Sequence, residues 1–320
     1  MMGSKNGLVG LGVFLVFTFC LLAPVSWAMG SAPPPPTQEV EIIPTASEEA
    51  LAKEQIENLK NISINSKTAE EGHYKFLRDM YAGKRYLYDF NKTAQREIVR
   101  AVKDKRENWK YRYGAINFLN PDGSPDAFDA LVSIYKDKTE RIELRKAAIG
   151  SLASSMRKTR QTDAVNVFIE ALNDEDDYIA AVAANGLGRI KDNRAVEPLI
   201  EAVKKSRGMY KKLLQRGWKE YEKGSTDIGL RLLTAMRALG EIKAKNAVPL
   251  LIEIMEDMDF DHKVDADSIN SFATMALGEI GDVRALPAIN KALEEKKYKS
   301  HLDIYEALSI AKERIENESK

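Results

Sequence analysis

The feature that most constrains this chain is that it copies itself. Three Leu-Gly pairs, ending in Gly188, Gly240 and Gly278, carry the same neighbours at the same offsets. With each glycine as position zero, alanine stands five before (Ala183, Ala235, Ala273) and a small residue two before (Gly186, Ala238, Ala276). Leucine stands one before (Leu187, Leu239, Leu277) and isoleucine two after (Ile190, Ile242, Ile280). Alanine returns seven after (Ala195, Ala247, Ala285). Aliphatics follow eight after (Val196, Val248, Leu286), eleven after (Leu199, Leu251, Ile289) and fifteen after (Val203, Met255, Leu293). Tandem copies of this length bury their apolar faces by stacking on one another.

These offsets describe two helices and a tight turn. Positions −5, −2, −1 and +2 share one face of a first helix, and +7, +8, +11 and +15 form the stripe of a second. Pro198, Pro249 and Pro287 fall in the first turn of that second helix, where a missing N–H costs least. A glycine inside a helix costs about 1 kcal/mol against alanine. Repeating that cost predicts a packing need, a partner helix approaching where no side chain fits.

Weaker copies extend towards the N-terminus. Leu152 and Leu119 stand as position −1, with Ala148 and Ala115 at −5. Second-helix stripes follow at Ala164, Val165, Phe168 and Leu172, and at Ala127, Phe128, Leu131 and Tyr135. Asn120 and Ala153 replace the glycine. The −1 leucines are 33, 35, 52 and 38 residues apart, and the 52 contains an insertion near 207–226. A sixth, divergent pair is expected near 69–105, carrying Tyr74, Leu77, Ile98 and Val102. Ser47 is placed to cap a helix through Leu51, Ile56 and Leu59, and residues 300–316, with Leu302, Tyr305 and Leu308, to form a last helix that caps the open end. The expected fold is all-α, an α-solenoid of five to six helical pairs with a C-terminal capping helix.

Residues 184–200 (Ala-Asn-Gly-Leu-Gly-Arg-Ile-Lys-Asp-Asn-Arg-Ala-Val-Glu-Pro-Leu-Ile) and 275–289 resemble HEAT repeats, of the bacterial short HEAT-like type also found in phycobilin lyases. The resemblance covers about residues 109–298. It implies first helices on a convex face, second helices on a concave one, and binding of other macromolecules. It also implies a turn carrying Asp and Arg, matched by Asp192 and Arg194 and by Asp282 and Arg284. Ala244 and Asn246 depart from it, which is expected to interrupt a polar ladder between turns.

Residues 1–28 read as a secretory signal. Lys5 supplies the positive start, Leu8 to Pro24 carries no charge, and Ser26-Trp27-Ala28 places small residues for cleavage after Ala28. The apolar run is short for a membrane span of roughly 20 residues, so membrane attachment is expected only if the signal stays uncleaved. Cleavage would remove Cys20, the only cysteine, leaving a thiol-free chain suited to an oxidising compartment. The expected location is therefore periplasmic or extracellular. Residues 29–46, with Pro33-Pro34-Pro35-Pro36 and Pro44, read as a spacer, residues 47–108 as N-terminal helices and the divergent pair, 109–298 as the repeats, and 299–320 as cap and tail.

No enzyme constellation is found: no His-Glu-x-x-His, no phosphate loop, no nucleophile elbow. Gly186-Leu187-Gly188 belongs to a repeat helix, not to a dinucleotide loop. The three histidines, His73, His262 and His301, are scattered. Asp257, Asp259, Asp261 and Asp265 match four positions of a calcium loop, but His262 stands where glycine is needed and Ser268 where a bidentate glutamate belongs, so a solvated acidic loop is the expectation. No catalytic residue, cofactor or metal is assigned.

The insertion is the most individual segment. Lys204, Lys205, Arg207, Lys211, Lys212, Arg216, Lys219 and Lys223 face only Glu220 and Glu222 in charge, with Tyr210, Trp218 and Tyr221 interleaved. Such a mixture suits an acidic protein surface, or phosphates and bases, or it is a solvated face with aromatics tucked onto the solenoid. Residues 84–113, with Trp109, Tyr111 and Tyr113, form a second basic-aromatic region that overlaps the core stripe. With 48 basic and 48 acidic residues the chain has no net charge, which disfavours wholesale coating of nucleic acid. The expected role is an exported, non-catalytic scaffold holding a protein partner of unknown identity through its concave face and the insertion. A bilin-lyase-like enzyme, or a binder of nucleic acid or another anionic polymer, are the alternatives.

Overall fold

The computed structural model describes residues 48–82, 92–119, 121, 124–155, 161–215, 218–257, 266–299 and 302–319. The signal and spacer segments, Ser47, and residues 258–265 of the acidic loop lie outside them. Among the described residues there are fifteen α-helices and no strand. The N-terminal helices are α1 (Glu48–Asn65), α2 (Ala69–Ala82), α3 (Lys92–Lys103), α4 (Trp109–Ile116) and α5 (Pro125–Lys136). Next come α6 (Ile142–Ser155), α7 (Gln161–Ala171), α8 (Asp177–Ile190), α9 (Val196–Gln215) and α10 (Trp218–Glu241). The last are α11 (Val248–Glu256), α12 (Ala266–Ile280), α13 (Leu286–Glu294), α14 (Lys296–Lys299) and α15 (Leu302–Glu318).

The helical pairs stack in chain order. First helices α2, α4, α6, α8, α10, α12 and α15 each pack on the next in that series. Second helices α3, α5, α7, α9 and α11 each lie against the first helix of the following copy, so the copies interlock. The repeat positions are the core: Ala183, Leu187, Ala235, Leu239, Ala273 and Leu277 on first helices, and Ala195, Leu199, Val203, Leu251, Met255 and Ile289 on or leading into second helices, are almost wholly buried.

The repeated glycines explain the register. A Cβ added to Gly188 would stand 3.0 Å from Ala238 Cα, one on Gly240 3.2 Å from Ala276 Cα, and one on Gly278 2.8 Å from Ala311 Cα. Each position-zero glycine therefore receives the backbone of the next first helix, at its −2 alanine. Ala311 continues that series, so α15 packs on the stack as a further first helix.

The first helices of the three strong copies end in the left-handed conformation, at Lys191, Lys243 and Gly281. In the turns that follow, Asp192 and Asp282 accept the backbone N–H of Arg194 and Arg284 at 2.9 and 3.0 Å. Ala244 makes no such cap. The contact between turns survives its loss: Asn246 donates to Glu197 of the preceding copy at 3.2 Å, and Arg284 to the Lys245 carbonyl at 3.0 Å.

Candidate interaction site

The corners where a second helix gives way to the next first helix are polar and largely ionic. Arg112 Nε donates to the Val102 carbonyl at 3.0 Å, and Arg145 Nε to that of Tyr135 at 2.9 Å. Their remaining nitrogens reach Glu140 at 2.6 Å and Asp174 at 2.7 Å, the second of these one corner further on. Lysines repeat the step, Lys105 to Asp137 and Lys138 to Asp174, the latter at 2.8 Å. Asn270 donates to the carbonyls of Met255 and Asp257. Arg231 closes the carbonyl of Leu172 at 2.7 Å and pairs with Asp177 at 3.0 Å. Each of these corners thus satisfies carbonyls at the end of a helix with a side chain from a later copy. Burial alone would raise the Glu140 and Asp174 carboxyls; the partners outweigh it and hold both below their ordinary values.

The α9–α10 hairpin departs from this economy. Helix α9 has 20 residues where α11 and α13 have 9, and α10 has 24 where α12 has 15. The insertion expected near 207–226 is an outgrowth of two helices and not a loop. Its basic residues divide into two groups. Arg207 bonds Glu253 and Asp257, and Lys211 also bonds Asp257, so these two belong to the next corner. Burial pushes Asp257 up, but Lys211 and Arg207 outweigh it and hold the carboxyl below its usual range. Lys204 pairs with Glu201 at 2.8 Å on the exposed face. Lys205 and Lys212 are exposed and have no acidic partner among the described residues.

Tyr210, expected as a contact residue, is 1% exposed and belongs to the core, since its ring lies on the inward side of α9. Arg216 lies outside the described residues, as do the side chains of Trp218, Lys219 and Tyr221. Of the expected set, the structure therefore brings Lys204, Lys205 and Lys212 together on one solvent face of α9. Position 208 of that face is Gly208, where an added Cβ would meet nothing within 4 Å.

The other sequence signals resolve into packing. Trp109 stacks under the Arg141 guanidinium, 4.3 Å from ring centroid to carbon, and Tyr111 is 2% exposed. Burial pushes the Tyr111 phenol up to about 12. Gly186 accommodates the Phe168 ring, whose edge would lie 2.8 Å from an added Cβ. His73 sits against Phe118 at 5.4 Å, and burial lowers its pKa. Among the described residues no group of three His, Cys, Asp or Glu is placed to hold a metal ion, and no described helix is long and apolar enough to cross a membrane.

Sequence reading missed the corner groups. Arg112, Arg145 and Asn270 all stand at position −8, and that shared offset was the available signal.

Residues 138–212 match the family model of HEAT repeats, and residues 233–257 and 271–295 that of the PBS lyase HEAT-like repeat. No curated protein sequence matches the chain. Among solved structures it is similar to human deoxyhypusine hydroxylase in complex with glycerol, at 14% identity and a TM-score of 0.34, covering 84% of this chain and 98% of that one. It is similar to a designed armadillo repeat protein at 17% identity and 0.40, covering 68% and 98%. It is also similar to the complex of CpcE and CpcF of phycocyanin lyase from Nostoc sp. PCC7120, at 18% and 0.37, covering 89% and 98%. The two repeat models fall on the copies whose glycines seat the next helix, and the chain is an α-solenoid built of HEAT-type repeats.

Proposed function

We propose that this solenoid is an exported, non-catalytic scaffold that holds a protein partner on its second-helix face, with α9 as the principal contact. One observation carries the reading. The α9–α10 hairpin is far longer than its counterparts, and its outer face keeps exposed Lys205 and Lys212 after Arg207 and Lys211 have been used on the next corner. Stacked pairs bury one another's apolar faces and leave such surfaces free to bind. Export rests on Lys5, the uncharged Leu8 to Pro24 stretch and the small residues Ser26 and Ala28. Affinity capture from extract of the source cells tests the scaffold. A specific protein should be retained by the native chain and lost with Lys205→Glu/Lys212→Glu; capture of none, or equal capture by both, would contradict it. Edman sequencing of the protein recovered outside the cytoplasm tests export, with Met29 expected as its first residue.

A further inference from the structure

Glycine is among the poorest residues for a helix interior. Where this solenoid uses it at Gly188, Gly240 and Gly278, another helix occupies the space its missing side chain leaves. Gly208 is different. It lies inside α9, it is exposed, and an added Cβ would meet nothing within 4 Å. The same solvent stripe runs Glu197, Glu201, Lys204, Lys205, Gly208, Lys212, at helical spacing and exposed throughout. It is acidic at its N-terminal end and basic around the glycine. Arg207 and Lys211, on the adjoining side, fasten α9 to Glu253 and Asp257, so the stripe is presented on a fixed helix.

We propose that this stripe seats a charge-polarised helix of the protein partner, its acidic side chains paired with Lys205 and Lys212 and its backbone lying on Gly208. This rests on the scaffold reading above and names the partner's recognition element. Charge complementarity selects the occupant: carboxylates over Lys205 and Lys212, and a basic residue over Glu197, which accepts one hydrogen bond from Asn246, while Glu201 is paired with Lys204. A nucleic acid or other polyanion would meet Glu197 beside the lysines, and a glycine notch offers it nothing, whereas a helix backbone can approach closely where no side chain stands. The solvent surfaces of α11 and α13 are less suited, because Pro249, Glu253, Glu256, Pro287 and Glu294 alternate there with Lys291 alone.

The test uses the whole chain and a hydrocarbon-stapled helix about twelve ångströms across with side chains, carrying glutamates on one half of an alanine ridge and lysines on the other. Fluorescence anisotropy should show binding that weakens about tenfold with Gly208→Leu, the cost of roughly 1.4 kcal/mol. That substitution fills open space and improves helix propensity, so a melting temperature no lower than that of the native chain excludes unfolding as the cause. Lys205→Glu/Lys212→Glu should transfer the preference to a stapled helix with the charges exchanged. Absence of binding, binding indifferent to Gly208→Leu, or displacement of the peptide by heparin with equal effect on native chain and Gly208→Leu would overturn the proposal. If affinity capture still retains a partner while Gly208→Leu leaves that capture unchanged, the helix seat fails and the scaffold stands.

Discussion

At the scale of single residues, glycine has opposite meanings in the same fold. An alanine at Gly278 would force its Cβ to within 2.8 Å of the Ala311 backbone, so Gly278→Ala should destabilise by roughly 1–3 kcal/mol, the range for overpacking. Gly208→Ala adds a methyl to open space in a helix interior and should stabilise by about 1 kcal/mol. Urea unfolding of the two variants checks both signs, and equal effects would refute the distinction. The position-zero glycines were legible because three copies shared them. That Gly208 lacks a packing neighbour was not legible: a single glycine in a basic helix reads the same whether or not a neighbour fills its space.

At the scale of elements, the corners hold the copies together through buried ions. Removing one partner of such a pair strands the other, so Asp174→Ala should cost about 3 kcal/mol, because Arg145 would remain 7% exposed without its carboxylate. Acid should act on these corner carboxylates and on the turn cap Asp282. Glu140, Asp174, Asp257 and Asp282 all lie below their ordinary values, Asp282 at about 2. A carboxylate with a depressed folded pKa stabilises fully above its unfolded value, and that stability is lost as pH falls through the folded value. The melting temperature should therefore fall only gently from about pH 7 to 5, where burial lowers the His73 pKa and its protonation opposes folding, and steeply from about pH 4 downward. Thermal melts from about pH 7 down to 2 test this; a steep loss above about pH 5 would point to other groups. Helix α15 belongs at this scale too. Deleting residues 302–320 should expose the Gly278 face of α12, and on size-exclusion chromatography the shortened chain should aggregate more than the intact one. The pairs and α15 could be read from the sequence because apolar spacing reports which face is buried. The shared −8 offset of Arg112 and Arg145 marked a repeated polar position, but not its carboxylate partners: Glu140 looks like a surface charge until the stacking of copies brings it to Arg112.

At the scale of the whole molecule, the interior is accounted for by the repeat, and what distinguishes this solenoid is carried outside it. The α9–α10 outgrowth was visible as an interval of 52 residues between leucines where the others are 33, 35 and 38. Its division of labour was not: Tyr210 turns inward, Arg207 and Lys211 serve the next corner, and Lys205 and Lys212 remain exposed. Charge and aromatic content cannot show which side of a helix faces solvent until its neighbours are placed. The central claim is that the outer face of α9 is where this protein touches its partner. Site-specific photo-cross-linking in the source cells measures that contact, with benzoylphenylalanine placed at Lys212 in one chain and at exposed Ser309 of α15 in another. A single protein adduct from position 212 and none from position 309 is the predicted result. Equal adducts from both positions, or none from 212, would contradict it.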